Sequence, residues 1–239
     1  MKHRALLLVI AALVLSAARA QTPCPPPQLS IDGGSSTTTT CASASYSTNF
    51  DIAENPLSED GRWRRADNAW TNVQTFGGVA FGTNGITNGY DDSYALLSGF
   101  GPDQTAEATV FRDASLTPSV THEVELLLRA SDDANNARGY ECLFNFAGGI
   151  EIVRWNGAIG DYTYLSVLDA RGLGRPLATG DVIKATIAGN TIRVYINGTE
   201  MGRAVDSALA TGQPGISFFI RPGGYNRLLG LTSYSVTSP

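Results

Sequence analysis

The sequence predicts an all-β chain folded as an antiparallel two-sheet sandwich. From Tyr46 onward, short runs of β-branched and aromatic residues recur, each closed by Gly, Asn, Asp or Pro. Helical periodicity is nearly absent, and only "DSALATG" (206–212) reads as one helical turn. Two hairpin tips are marked, "IAGNTI" and "FAGGIE", where Gly189-Asn190 and Gly148-Gly149 supply positive φ. No motif repeats at a fixed period, which argues against a propeller or solenoid.

In chain order, the expected strands are 46–52, 71–76, 93–98, 104–112, 119–130, 139–146, 149–155, 161–168, 181–188, 190–197, 215–221 and 228–236. Ahead of them, Lys2, His3 and Arg4 precede an apolar run from Ala5 to Val14 and then Ala18-Arg19-Ala20. This is the pattern of a secretory signal peptide over residues 1–20, cut before Gln21. The run is too short for a membrane anchor, which needs roughly 20 apolar residues. Residues 21–45 are rich in Pro, Ser, Thr and Gly and read as a flexible leader, leaving 46–239 as one domain. The expected location is extracellular or periplasmic.

The formal net charge is −5, and Lys184 is the sole lysine beyond the leader peptide. That balance argues against nucleic acid and anionic membrane as partners, since both select basic patches. A monomer is expected. Of three cysteines, Cys24 and Cys41 bracket the Pro/Ser/Thr segment and read as a disulfide pair, whereas Cys142 sits in an apolar strand as a small buried hydrophobe. His122 starts a strand on its apolar face and reads as structural. It is the sole histidine of the mature chain, which leaves no Ser-His-Asp or multi-His zinc arrangement.

Alternation along the strands assigns their faces. In 122–130, Val124, Leu126 and Leu128 point inward, opposite Glu123, Glu125, Leu127 and Arg129. In 139–146, Cys142, Phe144 and Phe146 oppose Glu141, Leu143 and Asn145; in 149–155, Ile150 and Ile152 oppose Glu151, Val153 and Trp155. In 161–168, Leu165 and Val167 point inward and Tyr162, Tyr164 and Ser166 outward. If these four strands form a meander, their outer residues make one patch of carboxylates and aromatic rings with Arg129 and Asn145. Rings that stack on sugar faces beside planar polar groups suit a saccharide. Arg129, Glu141, Asn145, Glu151, Trp155, Tyr162 and Tyr164 are therefore the candidate binding residues.

The segments "FDIAENPLSEDGRW" (50–63), "DQTAEATVFRD" (103–113), "LLLRAS…RGYECLFN" (126–145) and "TGDVIKATIAGNTIRVYINGTEM…DSALATGQPGISF" (179–218) resemble the concanavalin A-like lectin/glucanase superfamily. The likeness is to the laminin-G-like sugar-binding domains of secreted bacterial and phage proteins, and it covers about 46–236. It implies a jelly roll whose sugar site lies on the concave sheet, and a polysaccharide or glycan partner. That fold hosts lectins, binding modules, hydrolases and lyases alike. It also implies structural calcium, for which Asp51, Glu54, Asp91 and Asp92 are the candidate oxygen ligands, and no organic cofactor.

The laminarinases that share the fold carry a Glu-x-Asp-x-x-Glu strand, and "EVELLL" is similar to its start. Glu125 stands for the aspartate and Leu128 for the final acid. Side chains at i and i+2 on a strand lie roughly 6.5–7 Å apart at Cα, and a retaining glycosidase needs carboxyl groups about 5–5.5 Å apart. Glu123 and Glu125 are thus the candidate catalytic pair. A lyase would use Tyr162 or Tyr164 with Arg129 and Asn145, against the repulsion of four nearby glutamates for an anionic polymer. Protein adhesion is the third class. The expectation carried forward is lectin-like polysaccharide binding.

Overall fold

The computed structural model describes residues 43–85, 92–168, 172–223 and 226–239. The segments expected as signal peptide and, for the most part, as leader, the cysteines Cys24 and Cys41 expected to pair, and Asp91 fall outside those residues. The strands are β1 (Ala44–Thr48), β2 (Thr71–Phe76), β3 (Val79–Gly82), β4 (Ser93–Leu96), β5 (Gln104–Arg112), β6 (His122–Asp132) and β7 (Ala137–Asn145). They continue with β8 (Ile150–Gly157), β9 (Tyr162–Leu168), β10 (Val182–Ala188), β11 (Thr191–Ile196), β12 (Thr199–Val205), β13 (Gln213–Ile220) and β14 (Leu229–Ser238). Among the described residues the only helix is a 3-10 turn, Asn226–Leu228.

Two of these strands were not anticipated. β3 is four residues long and follows the Gly77-Gly78 turn, where both residues have positive φ. β12 carries Glu200, Arg203 and Gly202, so it shows no clean alternation, but the Asn197-Gly198 turn (φ 49° and 80°) folds it back on β11. The "DSALATG" segment forms no helical turn. Its Asp206 carboxylate accepts from the Ala208 amide, and the Leu209 amide donates to Tyr140 Oη, so its donors are satisfied outside a helical ladder.

The chain forms two packed layers. One runs β12-β11-β10-β5-β14-β3-β2, with β1 also on β14, and the other runs β4-β13-β6-β7-β8-β9. A short parallel pairing of β2 with β4 joins them. The core between the layers takes Val124, Leu126, Leu128, Cys142, Phe144, Ile150 and Ile152 from one sheet. From the other it takes Ala106, Ala108, Val110, Ile183, Ala185, Ile187, Ile192, Val194 and Ile196. Each fully buried Val, Leu, Ile or Phe stabilises by about 1.5–3 kcal/mol relative to an exposed one. Cys142 is a free, buried thiol, and burial pushes its ionisation far up. The arrangement is the all-β jelly-roll sandwich.

A second apolar cluster lies on the outer face of the β4–β9 sheet. It joins Leu127, Val153 and Trp155 to Trp70, Tyr94 and Leu96, with Tyr162 packed against it. The loop before β2 holds Trp70 there. Arg64 and Leu96 exchange backbone hydrogen bonds, and Asp132 accepts from Arg64 (2.8 Å), the Ala66 amide (2.6 Å) and Tyr94 Oη (2.9 Å). Asn68 then donates to Tyr94 Oη and accepts from the Trp70 amide. This loop covers one end of the face, and the remainder is a cleft.

Candidate functional site

β6, β7, β8 and β9 pair in sequence order as an antiparallel meander. The pairing aligns Leu143 with Glu125 and Glu151, Val153 with Glu141 and Tyr164, and Trp155 with Tyr162. Because opposed residues in a ladder share a face, these side chains gather on the side away from the core. The cleft there is lined by Glu123, Glu141, Glu151, Trp155, Tyr162 and Tyr164 of the anticipated set. Trp70, Asp92, Leu143, Val153, Asp161 and Phe219 also line it, with Ala158 and Gly160 of the β8–β9 turn.

Two anticipated binding residues are elsewhere. Simple alternation places Arg129 on the cleft face, but β6 bulges between Leu128 and Ser131 and Arg129 has φ 47°. The extra residue lets Ala130 join the outer cluster and turns Arg129 away. Its guanidinium is buried at the end of the sandwich, donating to the carbonyls of Pro102, Gly189 and Leu209. Asn145 is also spent locally: its Oδ1 accepts from the Ala147 and Gly149 amides and shapes the β7–β8 turn. A second bulge, between Ile152 and Val153 on the pairing with β9, leaves Leu165 unpaired. Val167 therefore aligns with Glu151 instead of the core and is 56% exposed, contrary to the alternation.

Trp155 also departs from a free stacking platform. It is only 6% exposed, stacks on Trp70 (centroids 6.2 Å apart, 29° between planes), meets Tyr94 edge-on, and donates its indole N–H to Glu141. The accessible rings are those of β9. Tyr164 is 53% exposed, and Tyr162 meets it edge-to-face at 5.2 Å.

The carboxyl groups are crowded, and those of Glu125 and Glu141 are buried. Glu125 is 0% exposed, and neither carboxyl oxygen has a hydrogen-bond partner. Burial, then Glu141, Asp92 and Glu123, drive its pKa well above the ordinary carboxylate value; the Ser217 hydroxyl beside it lacks hydrogen-bond geometry and offsets little. Glu141 is raised by burial and Asp92, with the Trp155 N–H opposing. Glu123 is raised by burial, Glu141, Asp92 and Glu151, with Arg221 opposing, and burial also raises Glu151. Like charges in a low dielectric do not all ionise together. Of the candidate catalytic pair, only Glu123 lines the cleft; Glu125 lies beneath its floor.

His122 is buried with Nδ1 unpaired, and burial lowers its pKa. Of the candidate calcium ligands, Asp51, Glu54 and Asp92 are among the described residues and stand apart, and Asp91 is outside them. Glu54 Oε2 accepts from the Ser58 and Glu59 amides (2.8 Å each), which caps a turn, and Asp51 is exposed. Asp92 stands beside the cleft glutamates instead. Among the described residues no group of three or more His, Cys, Asp or Glu side chains is disposed to hold a metal ion.

The sequence reasoning missed Trp70 and Phe219. Phe219 was legible, since alternation on β13 puts it opposite the core residue Phe218. Trp70 gave the weaker signal of a tryptophan closing the polar loop "RRADNA".

No protein-family model and no curated protein matches the chain. Solved structures do. A carbohydrate-binding module of Bacillus subtilis, CBM66, superposes with a TM-score of 0.50 at 18% identity, over 76% of this chain and 95% of that one. A native glycosidic hydrolase gives a TM-score of 0.50 at 14% identity, over 83% of this chain and 97% of that one. A chain described with endo-acting O-glycanases of the human gut microbiota gives 0.50 at 12%, over 81% and 98%. At these identities the likeness is one of fold, that of an all-β jelly-roll sandwich.

Proposed function

We propose that the protein is a secreted, lectin-like domain that binds a polysaccharide along the outer face of the β4–β9 sheet. The observation that carries this reading is the cleft itself: carboxyl groups on its floor and side, with the exposed Tyr164 ring and half-buried Tyr162 at its lip. A sugar ring stacks on such aromatic faces while its hydroxyls donate to carboxylates. Two of the fold neighbours, a carbohydrate-binding module and a glycosidic hydrolase, agree in ligand class.

Retention on a panel of soluble and insoluble polysaccharides, with reducing ends and unsaturated products assayed in parallel, tests the reading. Binding without new ends is expected, and Tyr164→Ala should weaken it by about 1–3 kcal/mol, the usual cost of removing an exposed anchoring ring, with the melting temperature unchanged. No retention on any polymer would sink it.

A hydrolytic reading is favoured by one observation, the raised carboxyls Glu123 and Glu141 facing the same cleft. A proton held near neutral pH suits a general acid. Glu125, with no exposed surface, cannot touch substrate in this conformation. New reducing ends lost in Glu123→Gln would promote this reading over simple binding.

A further inference from the structure

We propose that the cleft takes a saccharide bearing protonated amines, a polymer of amino sugars; this rests on the polysaccharide-binding reading and narrows it. Asp92, Glu123, Glu141, Glu151 and Asp161 line the cleft, and among the described residues that line it there is no lysine, arginine or histidine. Beneath them Glu125 and Ser217 lie opposite one another on β6 and β13, both 0% exposed. Neither the two carboxyl oxygens of Glu125 nor the Ser217 hydroxyl has a hydrogen-bond partner. A buried polar group without a partner costs about 1–3 kcal/mol; sealed beneath the floor, Glu125 is reached by the charge of a ligand in the cleft and not by contact with it. An ammonium supplies three donors and a positive charge. A neutral hydroxyl supplies one donor and leaves the carboxyl groups protonated.

The aromatic wall fits the same ligand, because a cation is attracted to the faces of Tyr and Trp rings. The charged and titratable groups around the floor are Asp92 ahead of β4, Glu123 on β6, Glu141 on β7, Glu151 on β8 and Asp161 in the β8–β9 turn. Tyr94, Tyr162 and Tyr164 complete the surround, with Arg221 on the rim, its guanidinium 5.4 Å from the Phe219 ring centroid. Among the described residues the basic groups here are Arg221 and Arg65, whose guanidinium lies 5.9 Å from the Tyr94 ring centroid. Without ligand, burial and mutual repulsion keep the glutamates protonated to unusually high pH. An arriving cation reverses that repulsion, lowers their pKa values and expels protons. A neutral sugar does neither.

The test is calorimetry of the full chain with three tetrasaccharides of one linkage: the glucosamine tetramer, its fully N-acetylated form and the glucose tetramer. Titrations run at mildly acidic pH, where the amines are protonated, in two buffers of different ionisation heat. The expected result is about tenfold or more tighter binding of the glucosamine tetramer than of the other two. Its heat should depend on the buffer, reporting net proton release, and Glu123→Gln and Glu151→Gln should each shrink the preference. Equal or tighter binding of the acetylated or glucose tetramer, without proton release, overturns the amine inference and leaves the saccharide reading standing if Tyr164→Ala still weakens it. No binding of any tetramer overturns the inference as well, and the polysaccharide panel then decides separately whether the broader reading survives.

Discussion

Glu125→Gln should stabilise the protein increasingly as pH rises. Glu125 is 0% exposed, its oxygens lack partners, and its folded pKa is driven well above the ordinary 4.5 by burial and by Glu141, Asp92 and Glu123. A carboxyl with a raised folded pKa holds a proton in the folded state that the unfolded chain has already lost. Its contribution is therefore fully present below the unfolded pKa and is lost as pH climbs from about 4.5 toward the folded pKa. Each excess proton is worth about 1.4 kcal/mol per pH unit. Glutamine keeps the shape of the protonated acid but cannot ionise. The stability gap between variant and wild type should accordingly widen by about 1.4 kcal/mol for every pH unit between the unfolded and the folded pKa and level off above the latter, each kcal/mol being worth roughly 2–4 °C in Tm for a chain of this size. Urea denaturation from mildly acidic to mildly alkaline pH reads this directly. Parallel stability curves for the two proteins would refute the buried, proton-holding carboxyl, and with it the account of the cleft floor.

Two more outcomes rest on the same geometry. Arg129→Met keeps the aliphatic stem and strips the donors from the Pro102, Gly189 and Leu209 carbonyls, so it should cost about 2–4 kcal/mol in urea unfolding while saccharide affinity of the folded protein stays unchanged; weakened binding at full stability would return Arg129 to the site. Cys142, buried with its thiolate disfavoured, should resist thiol reagents in the native protein and react fully once denatured, whereas prompt labelling of native protein would contradict the packed core around it.

Much of the site was readable from period-2 alternation. Glu123, Glu141, Glu151, Trp155, Tyr162 and Tyr164 were placed on one face from β6 to β9, and all six line the cleft. The residues misread lie at bulges or turns. One extra residue in a strand inverts the facing of every residue beyond it: it turns Arg129 inward at the end of β6 and Val167 outward on β9. Asn145 sat at a correctly assigned facing position, but the β7–β8 turn claims its carboxamide. Trp70 comes from a loop before β2, and nothing local states that Asp132 and Leu96 will fasten that loop over the sheet.

By itself, then, the amino-acid sequence determined the all-β class, most strand positions and the polarity of each strand face, because these depend on neighbours two residues apart. Only the tertiary structure decided that Glu125 is sealed beneath the cleft while Glu123 opens into it, and that Trp155 is clamped between Trp70 and Tyr94. Burial, proton affinity and ring exposure depend on which distant segments cover a face. The chain settles that through contacts far apart in sequence, and no local pattern encodes them.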